Sequence, residues 1–114
     1  MDQVAEEHVR HQILVREVNE RIRESFDRGG VDLWADGKSR LEFLCECSED
    51  SCMTTVSLTA IEYERARALP SVFIVLPSHE TPDEERILVE KERFLFVEKV
   101  IGGELAADAD PRSA

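Results

Sequence analysis

All three cysteines of the chain fall within eight residues, Cys45-Glu46-Cys47-Ser48-Glu49-Asp50-Ser51-Cys52. Three thiols this close, in a chain expected to be cytoplasmic, point to metal binding rather than to disulfides. The competing reading is a packing one. Cys45 and Cys47 share a predicted strand face with Leu41 and Phe43, where cysteine behaves as a small hydrophobe. That accounts for two thiols and leaves Cys52, which follows a polar turn, without a reason.

Geometry sets a condition on the metal reading. Side chains at i and i+2 on a flat strand stand ~6.6 Å apart, from a rise of ~3.3 Å per residue. Two sulfurs on one tetrahedral zinc lie roughly 3.8 Å apart, given Zn–S bonds of ~2.3 Å. The backbone must therefore bend at Glu46, and the turn over 48–51 then returns Cys52 toward the same point. A closed structural site needs a fourth ligand. His79 is the first candidate, because it follows the apolar run 72–76 and reaches Cys52 if that strand neighbours the cysteine strand. His8 and His11 are its rivals, although their positions fit a helix face.

Thiolates with one imidazole suit zinc, which needs no redox chemistry. Three Cys and one His also hold a [2Fe–2S] cluster, as in the CDGSH proteins, which this chain resembles only in ligand types. Their histidine lies in an Asp-Gly-x-His stretch soon after the last cysteine, whereas Cys52 precedes Met53-Thr54-Thr55. An open site with Glu80 as general base on a metal-bound water would make a hydrolase. No Ser-His-Asp order, phosphate-binding glycine loop or H-E-x-x-H helix accompanies it. A third alternative is a redox switch, in which oxidation of the thiolates ejects the metal.

The elements that must position these residues follow from periodicity. Val4, His8, His11, Val15, Val18, Ile22 and Phe26 recur at steps of four and three, predicting a helix over 2–28 with that stripe inward. Asp2 is its N-cap, and Arg28 before Gly29-Gly30 is its stop. Such a helix is about 40 Å long, more than a small domain covers. Its N-terminal half, with Val4, Val9, Ile13 and Val15, is expected to meet a partner or a second copy. Residues 29–40 read as a loop in which Trp34 either pins the chain to the core or stands out as an anchor.

Leu41 to Cys47 alternates as a strand, and 54–58 returns beside it. Thr59 and Glu62 form a capping box for a helix that ends near Leu69, before Pro70. The apolar run 72–76 predicts a central buried strand. Thr81-Pro82-Asp83-Glu84 predicts a short helix. Residues 86–90 and 94–101, joined by Lys91-Glu92-Arg93, predict a C-terminal hairpin. The expectation is an α+β domain over 1–103, a long N-terminal helix on a small antiparallel sheet with an inserted short helix. Residues 104–114 are expected as a flexible acidic tail.

Five segments carry a resemblance: 17–22, Phe43-Leu44-Cys45-Glu46-Cys47 with Cys52, 58–64, Pro77-Ser78-His79-Glu80 and Val97-Glu98-Lys99. Over 17–112 the chain resembles a set of short, acidic, uncharacterised actinobacterial proteins. Those proteins read Pro-Gly-His-Glu where this chain has Pro77-Ser78-His79-Glu80. The resemblance implies a unit built around Cys45, Cys47, Cys52 and His79, and it brings no activity with it.

Fourteen Lys and Arg against 25 Asp and Glu among 114 residues give a net charge of −11. Such a surface repels phosphate backbones, so nucleic acid is not an expected partner. No apolar run approaches the ~20 residues of a membrane span. The function expected from sequence is a non-enzymatic, zinc-stapled interaction or regulatory module.

Overall fold

The computed structural model describes residues 1–28 and 37–112. Trp34 and most of its predicted loop lie outside them.

Helix α1 spans Gln3–Arg28. Asp2 caps it, its Oδ1 accepting from the Ala5 amide at 2.8 Å. The buried face differs from the expected stripe. Ala5, Val9, Gln12, Arg16 and Asn19 point inward, while Val4 and Val18 are exposed. Over residues 4–19 the helix is turned by one residue, about 100°, whereas Ile22 and Phe26 of the expected stripe do pack against the core. The physical reason is that much of the inner face is polar. Gln12 donates to the Glu46 carbonyl at 3.0 Å, and Arg16 donates to the Pro70 and Ala106 carbonyls, both at 2.7 Å. Asn19 brackets Leu44, donating to its carbonyl at 2.9 Å and accepting from its amide at 2.8 Å. Apolar periodicity is blind to a face that is buried in order to satisfy backbone groups.

Strands β1 (Arg40–Leu44) and β2 (Thr55–Thr59) pair antiparallel with Phe43 opposite Val56. The capping box of Thr59 and Glu62 then opens α2, Ala60–Arg67. A second sheet contains β3 (Val72–Val75), β4 (Glu85–Glu90) and β5 (Leu95–Lys99) in the order β3-β5-β4, all antiparallel. Phe43 of the first sheet stacks on Tyr63 of α2 with ring centroids 4.2 Å apart. The run 72–76 is thus an edge strand of its sheet rather than a central one. All four of its strand residues are nevertheless buried, because Glu46 covers the free edge.

Two further expectations change. Thr81-Pro82-Asp83-Glu84 forms a turn, not a helix, since the Glu85 carboxylate accepts from the Thr81 amide at 2.7 Å and the chain enters β4 at once. The stretch 104–114, expected as a loose tail, carries most of helix α3 (Gly103–Asp108) in its described part. Ala106 of α3 is small enough to be buried beneath Arg16. Beyond it, Arg112 bonds Glu20 at 2.6 Å and also pairs with Glu64, closing the chain's end onto α1 and α2.

Burial is the largest influence on the Glu20 and Glu64 carboxyls and pushes their pKa up, but Arg112 together with Arg67 and Tyr63 at Glu20, and with Arg23 at Glu64, more than offsets it, and both lie below their usual value. Their contribution is therefore full above the unfolded-state pKa of about 4.3 and is lost as pH falls through the lower folded-state values. Arg112→Ala should lower the Tm at pH 7. The curves of parent and variant should converge as the pH falls below the usual carboxyl range, measured by thermal melts across pH.

Candidate metal centre

The cysteine motif begins where β1 ends. The Cys45 amide still bonds the Thr54 carbonyl at 3.0 Å, completing the β1–β2 ladder. At the next residue the backbone leaves that ladder, and the Glu46 amide donates to Ile74 O of β3 at 2.8 Å. This is the bend that two converging thiols require. Glu46 itself is fully buried. Its carboxylate accepts from the Ile74 amide at 2.9 Å and from Asn19 Nδ2 at 2.7 Å, and it pairs with Arg67. Burial alone would lower the Arg67 pKa, but the Glu46 carboxylate raises it above the usual value. Its neighbours Cys45 and Cys47 project to the other side of the bend.

Two turns complete the arrangement. The Cys52 amide donates to Glu49 O at 3.1 Å, closing a tight turn over 49–52 that brings the third thiol back. After β3, the His79 amide donates to Leu76 O at 3.0 Å. Pro77 and Ser78 occupy the middle of that turn, and Ser78 has φ +74°. A proline followed by a left-handed residue is the pattern of a type II turn, usually served by glycine at the second position. The turn carries the imidazole back over the cysteines.

The structure brings Cys45, Cys47, Cys52 and His79 into one group, their donor atoms all within 4.8 Å of one another, and the group could hold a metal ion. His79 faces the sulfurs through Nδ1, 3.5 Å from Cys45 Sγ and 3.7 Å from Cys52 Sγ. Cys45 and Cys47 are buried, whereas Cys52 and His79 are partly exposed. The Leu76 amide donates to Cys45 Sγ at 3.3 Å, which favours a thiolate there. Cys45 and Cys47 share a hydrogen bond that, with burial opposing, holds Cys47 at about 4. The same contact, reinforced by burial, pushes Cys45 up. At this spacing a thiolate on Cys47 opposes one on Cys45, which a cation between them would relieve.

The rival histidines sit elsewhere. His8 Nδ1 lies 2.8 Å from Glu84 Oε2, and His11 lines a surface groove with Leu14 and Asp50. Glu80 is not one of the four donors. The four residues singled out from the sequence are the ones brought together here, but the residues that hold them in place carry no signal of their own. Glu46, Asn19 and Arg67 carry no motif that distinguishes a buried polar hub from a solvated surface.

The chain matches no protein-family model, no curated protein and no solved structure in comparisons with each. Among the described residues, no helix is long and apolar enough to cross a membrane.

A left-handed conformation costs an L-residue roughly 1–2 kcal/mol, part of which glycine returns through its freer unfolded state. Ser78→Gly should therefore stabilise the protein by about 1 kcal/mol, read as a higher denaturant midpoint. Ser78→Val should have the opposite effect, since a β-branched residue fits that conformation poorly.

Proposed function

We propose that the chain is a non-enzymatic module stapled by one zinc ion, held by Cys45, Cys47, Cys52 and His79. The observation that carries this reading is the pair of Nδ1–Sγ distances, 3.5 and 3.7 Å. Bonds of ~2.3 Å to sulfur and ~2.0–2.1 Å to nitrogen at a tetrahedral angle put those two donors about 3.6 Å apart. The imidazole stands where a shared tetrahedral ion would hold it. A donor set of three thiolates and one imidazole suits zinc among the common metals.

Two alternatives are less well supported. A [2Fe–2S] cluster distributes its four ligands over two irons, so pairs on different irons stand wider apart than pairs on one. Four donors within 4.8 Å of one another match a single ion better. A hydrolytic metal needs an open position for water, and four protein donors fill a tetrahedral shell. In this reading the ion's work is structural. It ties the end of β1, the turn before β2 and the turn after β3 at one point, so that metal binding contributes directly to folding.

The purified protein should carry about one zinc per chain by elemental analysis, and a strong chelator should lower its Tm. Metal-free protein with three rapidly titrating thiols and an unchanged Tm would overturn the reading. Cys52→Ser should destabilise more than His79→Ala, because a lost thiolate removes charge as well as a bond. Structural zinc contributes on the order of 10 kcal/mol of apparent binding energy, so either loss should be plain in a thermal melt.

A further inference from the structure

The turned α1 leaves a second stripe facing outward. Val4, Glu7, His11, Leu14, Val18 and Arg21 succeed one another at alternating steps of three and four. That is the spacing of a seam between paired helices. Its apolar members remain open to solvent, Val4 at 58%, Leu14 at 61% and Val18 at 41% exposure. Beside the stripe runs a groove of about 570 Å³, walled by Glu7, His11 and Leu14 on one side and by Ser48, Glu49 and Asp50 on the other.

We propose that this face docks on the α1 helix of a second copy of the chain, antiparallel, about a two-fold axis beside Leu14. The order of charges selects both the occupant and the direction. Glu7 and Arg21 stand seven residues to either side of Leu14, about 10 Å along a helix rising 1.5 Å per residue. Antiparallel pairing therefore sets Arg21 of each copy opposite Glu7 of the other. His11 and Glu17, three residues to either side, meet in the same way. Parallel pairing would set Glu7 against Glu7 and Arg21 against Arg21.

The groove adds to this complementarity. Arg21 of the arriving helix meets a groove to which Glu7, Glu49 and Asp50 supply carboxylates, while Arg10, which also lines it, is already paired with Glu6. A chain of net charge −11 otherwise repels its own copy, so local pairing of this kind is what association requires. Leu14 of each copy packs at the axis, with Val18 beside it. Few apolar side chains are covered, so the dimer is weak, with a Kd on the order of 100 µM. It depends on the exposed face of α1, not on the identity of any metal.

Sedimentation equilibrium of the intact protein from about 10 to about 500 µM tests this. The parent should move reversibly toward twice its monomer mass, and Leu14→Glu should stay monomeric. Leu14 is exposed, so circular dichroism should show that variant folded. Glu7→Arg and Arg21→Glu should each weaken the dimer at least fivefold, and the two combined should restore it. Glu7→Arg lowers the net repulsion, so its weakening cannot come from overall charge. A parent that stays monomeric overturns the proposal. So does a dimer indifferent to Leu14→Glu, or a double variant no tighter than the singles.

Discussion

The fold depends on burying one carboxylate. Glu46 lies between the two cysteines of the C-x-C motif with no exposed surface. Its desolvation costs several kcal/mol unless every oxygen finds a partner. Arg67 of α2, Asn19 of α1 and the Ile74 amide of β3 provide those partners. The two sheets share no strand, and Glu46 is where the segment leaving one is fastened to the edge of the other. Removing the carboxylate would leave Arg67 charged and unpaired in the interior, the costly way to break a buried pair.

The group of three cysteines and His79 inherits its geometry from that fastening. With Glu46 turned into the core, the thiols on either side of it are presented outward from a bend, at a spacing a flat strand does not allow. The same amide–carbonyl bond to Ile74 places Cys45 beside the end of β3, where Leu76 N–H meets its sulfur and the turn through Ser78 delivers His79. A buried polar hub and a thiol cluster that is buried at Cys45 and Cys47 and reaches the surface at Cys52 are thus two faces of one bend. Each constrains the other, because Glu46 directly adjoins both Cys45 and Cys47 in the chain.

What could be read in the sequence was local. The clustering of Cys45, Cys47 and Cys52, the need for a bend at Glu46, the Thr59–Glu62 capping box and a hairpin of strands near 86–90 and 94–101 all follow from spacing or turn chemistry. The register of α1 could not be read, because Gln12, Arg16 and Asn19 are buried for their hydrogen bonds and periodicity weighs only apolar residues. The edge position of β3 was hidden for a related reason. A strand whose free edge is covered by a glutamate has the same apolar run as a central one. Helix α3 was missed because its small residues look like a tail until Arg16 and Arg112 are seen to hold it in place.

The proposed ion is surrounded by two donors from this bend, Cys45 and Cys47, and two from the neighbouring turns, Cys52 and His79. X-ray absorption at the zinc edge of the metal-loaded protein tests this arrangement most directly. About three sulfur neighbours at ~2.3 Å and one imidazole nitrogen at ~2.0–2.1 Å are expected. A shell made only of oxygen and nitrogen, or a second metal within bonding range, would contradict it.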